Sequence, residues 1–132
     1  MNSPKNIKLL IVDDSPISIF DLKYKLKGIV EEKNILVAKN YNNAINILKE
    51  KQIDIALIDL QMPDAWNGVD LIVHIRESNK LKDLPVIVIT STKINGLLQK
   101  SIENMVSDYL QKPVKQNLLK PAIINSIKSN AA

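Results

Sequence analysis

Cysteine is absent from the 132-residue chain, which excludes disulfides and thiolate metal sites. One histidine, His74, leaves too few imidazoles for a zinc centre. Aromatic residues make up only 4% of the sequence, too few for stacking on bases. Arginine occurs once, at Arg76, so the net charge of +4 comes from lysines, which are scattered along the chain. A nucleic-acid surface wants clustered Arg and Lys interleaved with aromatics. No apolar stretch approaches the ~20 residues that span a bilayer. The start, Met1 to Asn6, lacks the apolar core of a secretion signal. These absences point to a cytoplasmic protein with no direct nucleic-acid partner and no membrane partner.

What the chain does have is a set of aliphatic runs that end in polar groups. Leu9-Leu10-Ile11-Val12 ends in Asp13-Asp14, Ile55-Ala56-Leu57-Ile58 in Asp59, and Val86-Ile87-Val88-Ile89 in Thr90. A shorter segment around Tyr109-Leu110 leads to Lys112-Pro113. Continuous runs of this kind are the pattern of buried parallel strands. Between them lie apolar residues at helical spacing: Ile19, Leu22, Leu26 and Ile29; then Tyr41, Ala44, Ile45 and Leu48; then Leu71, Ile72 and Ile75; then Leu98, Ile102 and Met105; then Leu119, Ile123 and Ile127. Ser15-Pro16 supplies an N-cap and a first-turn proline, and Gly28 a helix stop. The pattern predicts strands at 7–12, 35–38, 54–58, from Pro85 towards Thr90, and at 108–111. Pro121 falls near the first turn of the last helix and leaves its start open.

Alternating strands and helices imply right-handed βαβ units. The expected fold is a flavodoxin-like α/β domain with a doubly wound five-stranded parallel sheet, order 2-1-3-4-5. A single domain is expected over residues 1–132, with its core at about 7–128.

Ligands of such sheets sit outside the carboxyl ends of the strands. Three acids, a hydroxyl and a lysine should therefore gather at one edge. Clustered carboxylates repel, so Asp13 and Asp14 call for a cation. Oxygen donors favour Mg2+, which uses one or two carboxylates together with phosphate oxygens. Asp59 is the candidate nucleophile, since a carboxylate that attacks phosphorus gives an aspartyl phosphate. Thr90 can donate to a phosphoryl oxygen, and the Lys112 ammonium is a point charge suited to phosphate.

Taken together, Val12-Asp13-Asp14-Ser15, Asp59 with Met62-Pro63, Thr90-Ser91 and Asp108-Tyr109-Leu110-Gln111-Lys112-Pro113 resemble the receiver domain of two-component response regulators, of the chemotaxis-regulator kind. The resemblance covers nearly the whole chain. It implies that Asp59 accepts a phosphoryl group from a phosphohistidine on a sensor histidine kinase or a histidine phosphotransfer protein. It implies Mg2+ held by Asp13 and Asp14, with Asp14 favoured as the direct ligand, completed by Asp59 and the Gln61 carbonyl, and a phosphoryl group engaged by Thr90 and Lys112. Thr90 and Tyr109 would act as the switch, altering the face of the fourth helix, fifth strand and fifth helix that meets a downstream protein. Such a domain catalyses only its own phosphorylation and dephosphorylation.

The chain departs from the family pattern in places. The stretch from Asp59 to Gly68 is one residue longer than the commonest spacing, so the loop holding Trp66 should bulge. The alanine usual after the switch threonine is Ser91. Asn104 is left to supply the left-handed turn after helix four, where a glycine is common. Gln61 and Thr92 stand where the family tunes phosphate lifetime. Two other readings stay open. One is a binding module of this fold that never turns over phosphate. The other is a phosphatase of the haloacid dehalogenase type, which needs a second aspartate where this chain has Gln61 or Ser15. The same residues fit a stand-alone regulator or a receiver taken from a larger protein.

Overall fold

The computed structural model describes residues 4–61, 67–91 and 96–131. Strands and helices alternate as β1 (Leu9–Val12), α1 (Pro16–Leu26), β2 (Ile35–Ala38), α2 (Tyr41–Glu50), β3 (Ile55–Ile58), α3 (Asn67–Glu77), β4 (Val86–Thr90), α4 (Gly96–Ile102), β5 (Asp108–Gln111) and α5 (Gln116–Ala131). The strands are all parallel, in the order β2-β1-β3-β4-β5. This is the doubly wound topology expected from the sequence.

The aliphatic runs are continuous because helices cover both faces of the sheet. Successive strand residues point to opposite faces. Leu10, Val12, Ala56, Ile58 and Val88 pack with Ala44 and Leu48 of α2, Leu71, Ile72 and Ile75 of α3 and Ile102 of α4. Leu9, Ile11, Leu57, Ile87 and Ile89 pack on the other side with Ile19, Leu22 and Leu26 of α1 and Leu119 and Ile123 of α5. Each fully buried Leu or Ile stabilises the fold by roughly 1.5–3 kcal/mol. The sheet is thus held from both sides, and its strand ends form a fixed rim.

Helix starts follow local chemistry. Ser15 Oγ accepts the Ser18 amide ahead of Pro16, and Asn40 Oδ1 accepts the Asn43 amide ahead of α2. A cap of this kind is worth ~1 kcal/mol. Some boundaries differ from the sequence reading. β1 begins at Leu9 rather than at residue 7, and β3 at Ile55 rather than at 54. Ile29 and Met105 lie past the ends of α1 and α4, yet both pack on the core, so apolar spacing ran beyond the helices themselves. Pro121 sits inside α5, beyond its first turn. Gly28 alone among the described residues has a positive φ, 83°. Asn104 therefore does not adopt the left-handed turn expected of it.

Candidate functional site

The β1–β3 register pairs Val12 with Ile58, so the next residues, Asp13 and Asp59, end neighbouring strands. Their main chains continue the ladder: the Asp59 amide donates to the Val12 carbonyl at 2.9 Å, and the Asp13 amide to the Ala38 carbonyl at 3.0 Å. The two side chains use one device twice. Oδ1 of each acid accepts the amide two residues on, Ser15 at 2.9 Å and Gln61 at 2.8 Å. Oδ2 of each accepts from Lys112 Nζ at 2.7 Å. An Asx turn thus bends the chain off each strand and fixes the carboxylate in the same step. Lys112 arrives from the end of β5, where its amide donates to the Thr90 carbonyl at 2.9 Å. The Lys112–Pro113 peptide is cis.

Asp13 is 1% exposed and Asp59 4%, so two negative charges are buried against one positive. Burial alone would lower the pKa of the Lys112 ammonium. Hydrogen bonds to Asp13 and Asp59, and the charges of both, outweigh it and hold that pKa above the usual lysine value. Asp59 goes the other way from a simple ion pair. Burial pushes its carboxyl up from 3.8, and the charge of Asp13 adds to this. Lys112 and the Gln61 amide oppose the rise without cancelling it. The asymmetry has a plain cause: the lysine gains two anions, while each acid gains a shared cation.

Of the other candidates, Thr90 is buried at the end of β4, 3% exposed. Tyr109 is half-buried in β5 against the α2–α3–α4 side of the core. Asp14 is exposed rather than turned into the cluster, and among the described residues the ammonium pairs with Asp13 and Asp59. Adjacent residues at a strand end diverge, and here only the first turns inward. His74, on α3, meets Tyr41 of α2 edge-on. Thr92 and the Trp66 loop lie outside the described residues.

Two features escaped sequence reasoning. Gly68, at the start of α3, approaches the main chain just after β3. A Cβ there would stand 2.6 Å from Leu60 Cα and 2.8 Å from the Asp59 carbonyl oxygen. A glycine closely following a strand-end acid was the available signal. The second is a hydrogen bond from Ser91 Oγ to Gln61 Oε1, which spacing alone cannot foresee.

Among the described residues no three His, Cys, Asp or Glu side chains are grouped as a ready metal cage. The donors present are nonetheless hard oxygens, and two buried carboxylates carry more charge than Lys112 neutralises. Mg2+ needs no more than one or two carboxylates when waters and phosphate oxygens complete its shell. The donor chemistry therefore fits that ion.

A sequence profile of the response regulator receiver domain matches residues 9–124. The chain belongs to that family. It is 32% identical to the chemotaxis protein CheY-3 of Vibrio cholerae over 125 residues, covering 88% of each. It is 30% identical over 131 residues to the sensor histidine kinase CheAY of Helicobacter pylori, where it covers 96% of this chain and 16% of that one. Against a cyclic di-GMP phosphodiesterase of Vibrio cholerae it spans 25% of the longer protein. Receiver domains thus occur here at about full length in one relative and as a fraction of others. Among solved structures, a sensor protein from Polaromonas sp. JS666 superposes with a TM-score of 0.82 at 26% identity, covering 92% of this chain and 96% of that one. The receiver domain of a histidine kinase from Syntrophus aciditrophicus shares the fold, with a TM-score of 0.80 at 22% identity over 94% and 92% of the two chains. Among the described residues, no helix is long and apolar enough to cross a membrane.

Proposed function

We propose that this receiver domain is a phosphoacceptor whose Asp59 takes a phosphoryl group from a phosphohistidine of a sensor histidine kinase or phosphotransfer protein in the cytoplasm. The observation that carries this reading is the Lys112 ammonium, 2.7 Å from carboxylate oxygens of both Asp13 and Asp59 at the carboxyl rim of the sheet. A carboxylate oxygen of Asp59 attacks phosphorus. The phosphorus–nitrogen bond breaks, and its electron pair returns to the imidazole, which is then protonated. Lys112 is placed to neutralise the incoming oxygens. Thr90, buried at the neighbouring strand end, would donate its hydroxyl to one of them. Asp13, Asp14, Asp59 and the Gln61 carbonyl would hold Mg2+, with Asp14 turning in from its exposed position. When bound, that ion would offset the charge of the transferring group.

Phosphorylation then favours the arrangement in which Thr90 moves towards the phosphoryl group and Tyr109 changes rotamer, shifting the α4–β5–α5 face that a downstream protein reads. Intact mass after treatment with phosphoramidate and Mg2+ tests the chemistry. The wild type should gain one phosphoryl group and Asp59→Ala none; equal labelling of both would reject Asp59 as the acceptor.

A further inference from the structure

Aromatic side chains are scarce in this chain, yet its one phenylalanine faces solvent. Phe20 is 73% exposed, and Tyr24, one helical turn on, 60%. Residues four apart share a face of a helix, and this face of α1 is one wall of a groove of about 370 Å3. Lys23 and Lys27 stand on the same wall, and Lys27 Nζ lies 5.4 Å from the centre of the Tyr24 ring. The facing wall is the connection from α1 to β2, where Glu31 and Glu32 line the groove. Both glutamates are exposed. Glu31 pairs with Lys33 at 3.4 Å, a surface contact worth little. Among the described residues Lys23, Lys27 and Glu32 have no ion pair. The groove lies beside β2, an edge strand of the sheet.

Exposed apolar surface rimmed by charge marks an association site, and the order of the charges selects the partner. An acidic surface would satisfy Lys23 and Lys27 but be repelled by Glu31 and Glu32, and a basic one would meet the reverse. The occupant must carry both signs, on opposite sides of an apolar centre. A second copy of this chain does. Under a twofold axis the contact is isologous, so the α1 wall of each copy faces the connection wall of the other. The aromatic rings of the two copies then meet at the centre, and the lysines of each face the glutamates of the other. We propose that this groove is the interface of a symmetric homodimer. Ile17, 83% exposed on the same helix, does not line the groove and lies outside the contact. Asp13, Asp59 and Lys112 do not line it either, so association is separable from phosphoryl chemistry.

Sedimentation equilibrium from about 10 μM to about 1 mM covers the range of weak association. The apparent mass of the wild type should climb with concentration above the 14.8 kDa of one chain. Phe20→Ala/Tyr24→Ala should stay at the one-chain mass, while Ile17→Ala should associate like the wild type. Charge reversal gives the sharper test. Lys23→Glu/Lys27→Glu presents two acidic walls and Glu31→Lys/Glu32→Lys two basic ones, so each variant alone should stay monomeric. Their equimolar mixture should dimerise, because acid then faces base at both walls. Bulk attraction does not account for that rescue, since the first pair of substitutions cancels the chain's net charge of +4. Thermal melting checks that each variant is folded. A wild type fixed at the one-chain mass, association that survives loss of both rings, Ile17→Ala as damaging as that loss, or a mixture no more associated than its parts would overturn the dimer. None of these results bears on Asp59 as the acceptor, which the labelling experiment decides.

Discussion

Substituting Asp59 by asparagine leaves Lys112 facing one carboxylate instead of two. The wild-type site buries two negative charges with one positive, and its Asp59 carboxyl is raised above 3.8 by burial first. A raised carboxyl binds its proton more tightly in the folded chain than in the unfolded one. Its contribution to stability therefore falls as pH rises from the unfolded value through the folded one, and the penalty stands in full at neutral pH. Asp59→Asn removes that penalty and keeps Lys112 paired with Asp13. The variant should be more stable than wild type at pH 7, by on the order of 1 kcal/mol, and the advantage should vanish below the unfolded carboxylate value. Urea denaturation at pH 7 and in acid reads both parts; a variant less stable at pH 7 would refute the charge account. The buried charge of Asp59 thus works against the fold's stability.

Elements carry two further predictions. The start of α3 is pressed against the chain leaving β3, and Gly68 is what permits it: a methyl group would meet backbone atoms at 2.6 and 2.8 Å, which cannot rotate away. Gly68→Ala should destabilise the fold by roughly 1–3 kcal/mol through overpacking and displace the Asp59–Leu60 peptide. Amide NMR shifts concentrated at residues 59–61 would register this; a spectrum unchanged there would contradict it. At the other end of α3, Arg76 donates from Nε to the Met105 carbonyl at 2.7 Å, and from one terminal nitrogen to the Leu84 and Lys82 carbonyls at 2.7 and 3.1 Å. It joins the connection after α4 to the entry of β4. Arg76→Ala should cost about 2–3 kcal/mol, since charged hydrogen bonds are lost and carbonyls are left bare. Arg76→Lys should restore little, because a single ammonium cannot reproduce the fork. Thermal melting of the two variants would show whether geometry or charge matters.

For the molecule as a whole, the fold was legible because the aliphatic runs announce strands buried on both faces, and every run that ends in a polar residue marks the same rim. The alternation with helical spacings left one economical topology. The site was legible in its residue types and less so in its contacts. The resemblance made Asp14 the likelier metal ligand of the adjacent pair, but a strand end sends neighbouring side chains apart, and of the two Asp13 turns towards Lys112 while Asp14 is exposed. Gly68 and the Ser91–Gln61 bond depend on how loops after different strands approach each other, which periodicity does not encode. Arg76 was conspicuous only by its rarity. Its partners are carbonyls distant in sequence, and such acceptors leave no trace in composition.

The amide of Lys112 is bonded to the carbonyl of Thr90 at 2.9 Å, continuing the pairing of β4 with β5. The ends of β4 and of the edge strand β5 are thereby stitched through backbone alone. Because main chain alone sets the spacing of these two residues, replacing either side chain should leave that junction of the strands intact.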